Sequence, residues 1–304
     1  MRPTLSTRCA ASKAALFTGG IFMYPSAKQL IIISDMEGAS GIFEHNKAAL
    51  YNGGEQWRDY GRHCLTSDIL AVSEAAQACG IDDILLYDAH YAGNAEYNVI
   101  LAQLPKTVRV FDVLDRCTFW RRIRGQAQQH PFGLITVGQH ARYGEPDAYF
   151  PHTIQSPPMA SLLVNGRSIA EIGSAAYQFC GTPYLANIGC QASMKEATEI
   201  CPTVHCIPVK DKRTGWQPSP QETFPLIKEG VIQAITQADQ KQLIALDGPY
   251  AFEMTLTPGF YFQPPQHLSW VGSFADHAAH WLAPSVEIGL ELFENVRSCI
   301  RRCT

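Results

Sequence analysis

The strongest constraint on the fold is a set of short apolar runs that end directly in polar side chains. The runs cover residues 30–33, 84–87 and 134–137. Continuous apolar runs of this length are typical of strands buried on both faces of a parallel sheet. The side chains that follow the runs are, in chain order, Asp35 and Glu37, Asp88 and His90, and His140.

Amphipathic stretches alternate with these runs, and this alternation predicts the fold class. A strand followed by a helix and another strand is the β-α-β unit of a parallel sheet with right-handed crossovers. We therefore expect an α/β fold with a doubly wound, mostly parallel sheet core at residues 28–212. A smaller C-terminal α+β portion is expected at residues 213–304. Its predicted elements are a helix at 225–237, strands at 252–256 and 260–263, and a helix at 276–296.

The composition excludes several classes of protein. Apolar residues make up 46% of the 304 residues and charged residues 17%, with a formal net charge of -4. Disorder requires low hydrophobicity and high net charge, so a folded chain is expected. A net negative charge does not favour phosphate, so no nucleic-acid partner is expected. No apolar stretch reaches 18 residues, so no membrane partner is expected either.

Residues 1–27 are expected to be a flexible N-terminal extension. Three basic residues precede a mildly apolar run, which is the outline of a weak signal peptide, but Thr18, Gly19 and Gly20 interrupt it. A start codon placed too early, with Met23 as the true start, would explain the segment equally well, and a secretory signal peptide is the alternative. We accordingly predict a cytoplasmic protein.

The polar side chains after the three runs predict a metal site. In a doubly wound sheet the carboxyl ends of neighbouring strands meet at one crevice, where ligands bind. Three carboxylates and two imidazoles in one crevice require a compensating cation. Mixed carboxylate and imidazole ligands suit Zn²⁺ or another first-row metal, and this many ligands suit two ions that share a carboxylate.

Each of these residues also has a plain structural interpretation. Asp35 and Glu37 could cap a helix, because acids favour helix N-termini. Asp88 could be a turn residue and His140 a buried, hydrogen-bonded histidine. The metal site is favoured because the residues occur together at three strand ends.

At these positions the chain resembles the D-aminopeptidase family, peptidase family M55, of the dipeptide-permease-operon type. The motifs that carry the resemblance are S-D-M-E-G at 34–38, Y-D-A-H at 87–90 and G-Q-H-A-R at 138–142. A weaker match is V-N-G-R-S-I-A-E-I-G at 164–173. The resemblance extends from about residue 29 to the C-terminus.

The resemblance implies two zinc ions per subunit and assigns their ligands. Asp35 matches the aspartate that bridges the two ions. Glu37 and His90 match the other ligands of one ion, and His140 and Glu171 match those of the second. From the residues alone, Glu171 is only an acid in the first turn of a predicted helix.

The resemblance also implies a catalytic role for His152, which matches a proposed proton-transferring histidine. Asp88 would lie behind the ligands and orient His90 through a hydrogen bond. Two departures from the family's pattern bear on which substrate the chain binds. Cys190 and Gln191 stand where the family has an acidic pair, and the loop at 211–214 differs.

The sequence therefore predicts a dinuclear zinc aminopeptidase that hydrolyses short peptides with a metal-activated water. The resemblance implies D-amino-acid peptides such as D-Ala-D-Ala, and a homo-oligomer of ring type, for example a decamer. One alternative is a dizinc amidase or esterase that acts on another small acyl substrate. The other is a non-catalytic doubly wound protein that binds Mg²⁺ or a phosphorylated ligand, although no G-x-G-x-x-G motif supports it.

Overall fold

The computed structural model describes residues 28–90, 96–111, 125, 127–168, 171–264 and 272–303. The side chains of residues 171 and 175, and the predicted extension at 1–27, lie outside this description.

Thirteen strands and five α-helices make up the described part of the chain. The strands are β1 Gln29–Ser34, β2 Asp83–Asp88, β3 Val108–Val110, β4 Gly133–Gln139, β5 Met159–Val164, β6 Arg167–Ser168, β7 Tyr184–Cys190, β8 His205–Lys210, β9 Tyr250–Leu256, β10 Phe260–Phe262, β11 Gly272–Phe274, β12 Ala278–Ala283 and β13 Ile300–Arg302. The helices are α1 Arg62–Ala78, α2 Glu171–Ala176, α3 Ser193–Ile200, α4 Pro220–Thr236 and α5 Val286–Ser298.

A six-stranded parallel sheet forms the core, in the order β3-β2-β1-β4-β7-β8. The first strand, β1, lies in the middle of the sheet; β2 and β3 extend the sheet to one side, and β4, β7 and β8 extend it to the other. This is the predicted doubly wound arrangement. Ser34 at the end of β1 pairs with Asp88 on one side and Val137 on the other. The three predicted strands therefore end at one edge of the sheet.

The first strand shows why these runs are apolar at every position. Leu30 and Ile32 belong to the apolar cluster that contains α1 and α4. Ile31 and Ile33 belong to the cluster on the opposite face. Since successive side chains of a strand point to opposite faces, burial on both sides requires an unbroken apolar run.

Helix α4 begins five residues earlier than the sequence pattern predicts. Ser219 caps it: the hydroxyl accepts the Glu222 backbone N–H, and the Glu222 carboxylate accepts the Ser219 backbone N–H. Pro220 follows at the first helical position, where its missing N–H costs nothing. The cap, rather than Pro225, therefore sets the start of the helix.

A five-stranded antiparallel sheet lies against the other face of the core, in the order β11-β12-β9-β5-β6. It combines β5 and β6 with strands that follow residue 213. The predicted helix at 276–296 is wrong in its first half, where β12 stands instead. Along β12, buried residues alternate with exposed ones up to Ala283, and this period of two belongs to a strand. Ser285 then caps α5.

No helix in the described residues is both long enough and apolar enough to cross a bilayer.

Candidate metal centre

The candidate site lies where the central strands β1, β2 and β4 end. The ladder between β1 and β4 continues past β1, because the Asp35 backbone N–H donates to the Val137 carbonyl at 2.8 Å. The Gly38 N–H then donates to the Gly138 carbonyl at 2.7 Å. The segment that carries Asp35 and Glu37 is therefore held directly against the segment that leads to His140.

Two glycines allow this close approach. A Cβ on Gly38 would lie 1.9 Å from the Gln139 carbonyl oxygen, and a Cβ on Gly138 would lie 1.9 Å from that of Asp35. Gly138 also has a φ of +71°, a left-handed conformation that other residues adopt at a cost. The glycines of both motifs thus have a packing role that brings the polar residues together.

The structure brings the carboxylates of Asp35 and Glu37 together with three imidazoles. His140 Nε2 lies 3.4 Å from Asp35 Oδ2, and His90 Nε2 lies 3.3 Å from Glu37 Oε1. One donor atom each of Asp35, Glu37 and His140 lies within 4.8 Å of the other two. The side chains of His90 and His140 are only 5% and 2% exposed. This spacing suits ligands around a common cation.

The hydrogen bonds on the far side of each ring define which nitrogen faces the carboxylates. His140 Nδ1 donates to the Ala141 carbonyl at 2.8 Å, and His152 Nδ1 donates to the Phe150 carbonyl at 2.9 Å. A carbonyl oxygen only accepts, so Nδ1 carries the proton in both rings. Nε2 of a neutral ring is then an acceptor, and in His140 it faces an acceptor oxygen of Asp35.

His152 joins the site from the loop after β4. Its ring stacks on that of His140 with the centroids 3.9 Å apart and the planes within 10°. His152 Nε2 lies 3.9 Å from Glu37 Oε1, and its side chain is 16% exposed, more than those of His90 and His140. It therefore lies beside the cluster of Asp35, Glu37, His90 and His140, on the more accessible side of that cluster.

Asn98 orients His90, and the sequence analysis did not identify it. The Asn98 side-chain oxygen accepts from His90 Nδ1 at 3.2 Å and from the Trp57 indole N–H at 3.0 Å. Its amide group donates to Asp88 Oδ1 at 2.8 Å and to the His90 carbonyl. The expected link from Asp88 to His90 thus runs through Asn98. No sequence pattern signals it, because Asn98 lies ten residues beyond Asp88 in a loop.

Burial and mutual charge set the protonation of the cluster. Burial lowers the pKa of His140 to about 3, and the nearby His152 adds to this effect. Burial alone would raise the pKa of Glu37, but the three imidazoles outweigh it and hold that pKa well below its usual value. For His90, burial lowers the pKa and the Glu37 carboxylate raises it more, so the net direction is upward. Burial raises the pKa of Asp88 despite its hydrogen bonds from Asn98.

The other predicted residues are placed as follows. Glu171 begins α2, but its side chain lies outside the described part of the chain, so its role as a ligand stays a prediction. Cys190 is buried at the end of β7 and Gln191 is exposed beside it. The divergent loop after β8 is a tight turn, in which the Asp211 carboxylate accepts the Arg213 backbone N–H at 2.9 Å.

Comparison with known proteins identifies a family and a solved structure to which the chain is similar. A family model described as D-aminopeptidase, Peptidase M55, matches residues 29–259. A search of curated proteins finds no match. Among solved structures, the fold matches the Zn-dependent D-aminopeptidase DppA from Bacillus subtilis, described as a self-compartmentalizing protease. The two chains are 18% identical, the TM-score is 0.71, and the match covers 89% of this chain and 97% of that one.

Proposed function

The chain belongs to the D-aminopeptidase family, peptidase family M55, and is a metallo-aminopeptidase; on that premise we propose that the residues at the carboxyl edge hold two zinc ions. The proposed ligands within the described residues are Asp35, Glu37, His90 and His140. Glu171 is the fifth proposed ligand. Asp35 would bridge the two ions.

One observation carries this proposal: the acceptor nitrogen of His140 faces the acceptor oxygen of Asp35 across 3.4 Å. Two acceptors do not attract each other unless a cation lies near both. Glu37 supports the same conclusion, because its Oε2 is buried and has no hydrogen-bond partner among the described residues. Carboxylate oxygens and imidazole nitrogens are donors that zinc accepts.

The donor set also favours two ions over one. Structural and catalytic zinc sites use three or four protein ligands. The proposed set has five residues, three of them carboxylates that can each offer two oxygens. A pair of ions that shares the Asp35 carboxylate would use all five and would neutralise the buried negative charge. When bound, zinc activates water near neutral pH and polarises a carbonyl group.

His152 is proposed to move the proton during hydrolysis. Its Nδ1 donates a hydrogen bond to the Phe150 carbonyl, so Nε2 is the ring atom that can accept or donate a proton on the accessible side. An imidazole there can take a proton from the attacking water and give it to the departing amine. Stacking on His140 and the contact with Glu37 keep the ring in this position.

We propose short peptides with an N-terminal D-amino acid, such as D-Ala-D-Ala, as substrates. The description of the matched family and that of DppA support this class. We also propose that the chain forms a ring-type homo-oligomer in the cytoplasm, in line with the self-compartmentalizing description of DppA. Light scattering of the purified protein would test the assembly.

A substrate panel tests the proposed reaction. The purified protein is assayed with D-Ala-D-Ala, L-Ala-L-Ala, D-alanine amide and a D-alanine ester, and its bound metal is measured in the same sample. We expect bound zinc and fastest hydrolysis of the D-dipeptide. Preference for the L-dipeptide would refute the proposed stereochemistry, and cleavage of only the amide or ester would favour the amidase or esterase alternative.

Two histidine variants serve as a matched pair in the same panel. His152→Ala is expected to keep its zinc and lose about 10²–10⁴-fold in kcat, since it removes a proton-transfer group. His280→Ala changes a half-exposed histidine of β12 and should match the wild type. Equal activity of the two variants would exclude the role of His152.

A further inference from the structure

Lys210 ends β8 as a fully buried lysine next to the candidate metal centre. Its side chain is 0% exposed. Burying an ammonium group is unfavourable unless hydrogen bonds and charges compensate it. A buried lysine therefore needs a structural or chemical reason, and its contacts identify one.

The loop that carries Glu37 wraps around the Lys210 ammonium group. Nζ donates to the backbone carbonyls of Glu37 at 2.7 Å, Ala39 at 2.9 Å and Ile42 at 2.5 Å. An ammonium group has three donors and no acceptor. All three are used by carbonyls of one loop, so Lys210 pins the backbone at Glu37 and at two positions that follow it.

The loop that carries His152 covers the same ammonium group from another side. The rings of Tyr149 and Phe150 lie with their centroids 5.7 and 5.8 Å from Nζ, and the ring of Phe43 lies at 5.5 Å. Contacts of this kind are attractive, most of all where water is excluded. Phe150 also supplies the carbonyl that accepts from His152 Nδ1. One residue therefore faces the ammonium group and orients the proposed catalytic histidine.

A buried carboxylate compensates part of the Lys210 charge. Asp68 of α1 accepts the Ser40 backbone N–H at 2.9 Å, within the loop that Lys210 pins. Burial lowers the pKa of Lys210 to about 8, and the nearby Cys190 and Asp68 oppose that effect. With its three hydrogens donated to carbonyls, Lys210 has no lone pair to offer as a base. Its contacts suit a role in position rather than in proton transfer.

We propose that Lys210 is a positioning residue that holds the Glu37 loop, residues 35–42, and the His152 loop, residues 148–153, in register around the metal centre. This role rests on the proposed function of the site. It joins a metal-ligand loop to a proton-transfer loop through one buried cation.

Metal affinity and kinetics of Lys210→Met test the role. Methionine keeps most of the side-chain volume and removes the charge and the three donors. We expect zinc affinity to fall about 10–100-fold, the range typical of residues that support ligands. We also expect kcat to fall while KM stays within about twofold. Lys241→Met is the control, because Lys241 donates to the single carbonyl of Thr203 away from the site.

The results separate this role from simple stabilisation. A folded Lys210→Met protein with lower melting temperature but wild-type zinc affinity and kcat would overturn the proposal. If Lys210→Met does not fold, Phe150→Leu tests the proposal instead. This variant keeps the backbone carbonyl that accepts from His152 and removes the ring that faces Lys210 Nζ. We expect its kcat to fall severalfold. Unchanged kcat in Phe150→Leu would then overturn it. A wild-type protein that binds no zinc would instead refute the proposed function.

Discussion

The carboxyl edge of the six-stranded sheet and the five-stranded sheet bury opposite kinds of side chain. At the carboxyl edge of the six-stranded sheet, the buried residues include Asp35, His90 and His140. In the five-stranded sheet, Phe252 of β9 stacks on Trp281 of β12 with centroids 5.2 Å apart and planes within 12°. Apolar burial stabilises a fold, whereas buried polar groups cost free energy until a partner or a cation compensates them.

We infer that the two regions contribute differently. On the proposed function, packing in the antiparallel sheet and α5 stabilises the fold, whereas the carboxyl edge of the parallel sheet carries the chemistry and costs some stability. Substitutions in the five-stranded sheet should therefore lower the free energy of unfolding, whereas substitutions at the carboxyl edge should lower metal binding and activity. Four variants test this separation, from the largest expected effect to the smallest.

Asp35→Asn should have the largest effect on activity. It keeps the shape of the side chain and removes the charge that faces His140. Loss of a ligand should exceed the ~10–100-fold effect of residues that only support ligands, so we expect more than ~100-fold loss of kcat/KM and of zinc affinity. Metal analysis and D-dipeptide assays check this. Full zinc content in the variant would contradict the role of Asp35.

Phe252→Ala should have the largest effect on stability. Truncation of a buried Phe typically costs ~3–5 kcal/mol, because it removes apolar contacts and leaves a cavity. Denaturant unfolding should show this loss, while kcat per folded molecule stays at the wild-type value. Leu282→Ala on β12 is the control, since Leu282 is 59% exposed. A fall in kcat that exceeds the unfolded fraction would show that packing in the five-stranded sheet also affects activity at the carboxyl edge.

Asn98→Leu tests whether zinc binding depends on a residue that orients the proposed ligands without binding the metal itself. The change removes the acceptor that fixes His90 and the donor to Asp88, at similar volume. We expect ~10–100-fold weaker zinc binding, measured by competition with a chelator of known affinity. Asn295→Leu, on the exposed side of α5, should bind zinc as the wild type does. Equal affinity in both variants would show that His90 needs no such support.

Lys228→Met should have the smallest effect. Its ammonium group contacts Glu74 at 2.7 Å, and both side chains are more than one-third exposed. Exposed ion pairs contribute ~0–1 kcal/mol. Unfolding free energy and zinc affinity should both stay close to the wild-type values. A larger loss of stability would show that the contact between α1 and α4 depends on this pair.

The sequence was sufficient to predict the doubly wound core and the side chains that meet at its carboxyl edge. Burial on both faces makes β1, β2 and β4 visible as apolar runs, and the structure brings the polar residues after them together, namely Asp35, Glu37, His90 and His140. Their role as metal ligands stays a prediction. The predicted helix at 276–296 failed because the alternation along β12 is short and α5 follows almost at once.

Residues that act through long-range contacts could not be predicted in this way. Lys210 donates to carbonyls 168 to 173 positions earlier in the chain. Asn98 makes its contacts from an irregular loop. Neither residue type nor local spacing signals such partners, because the folded sheet alone brings them together.

Zinc titration of the metal-free protein tests the central claim most directly. The protein is stripped with a chelator, shown to be folded, and titrated with Zn²⁺ while bound metal and D-dipeptide hydrolysis are measured together. The account predicts no hydrolysis in the metal-free protein and activity that saturates at two ions per chain. Hydrolysis at the full rate without metal, or saturation at one ion, would contradict it.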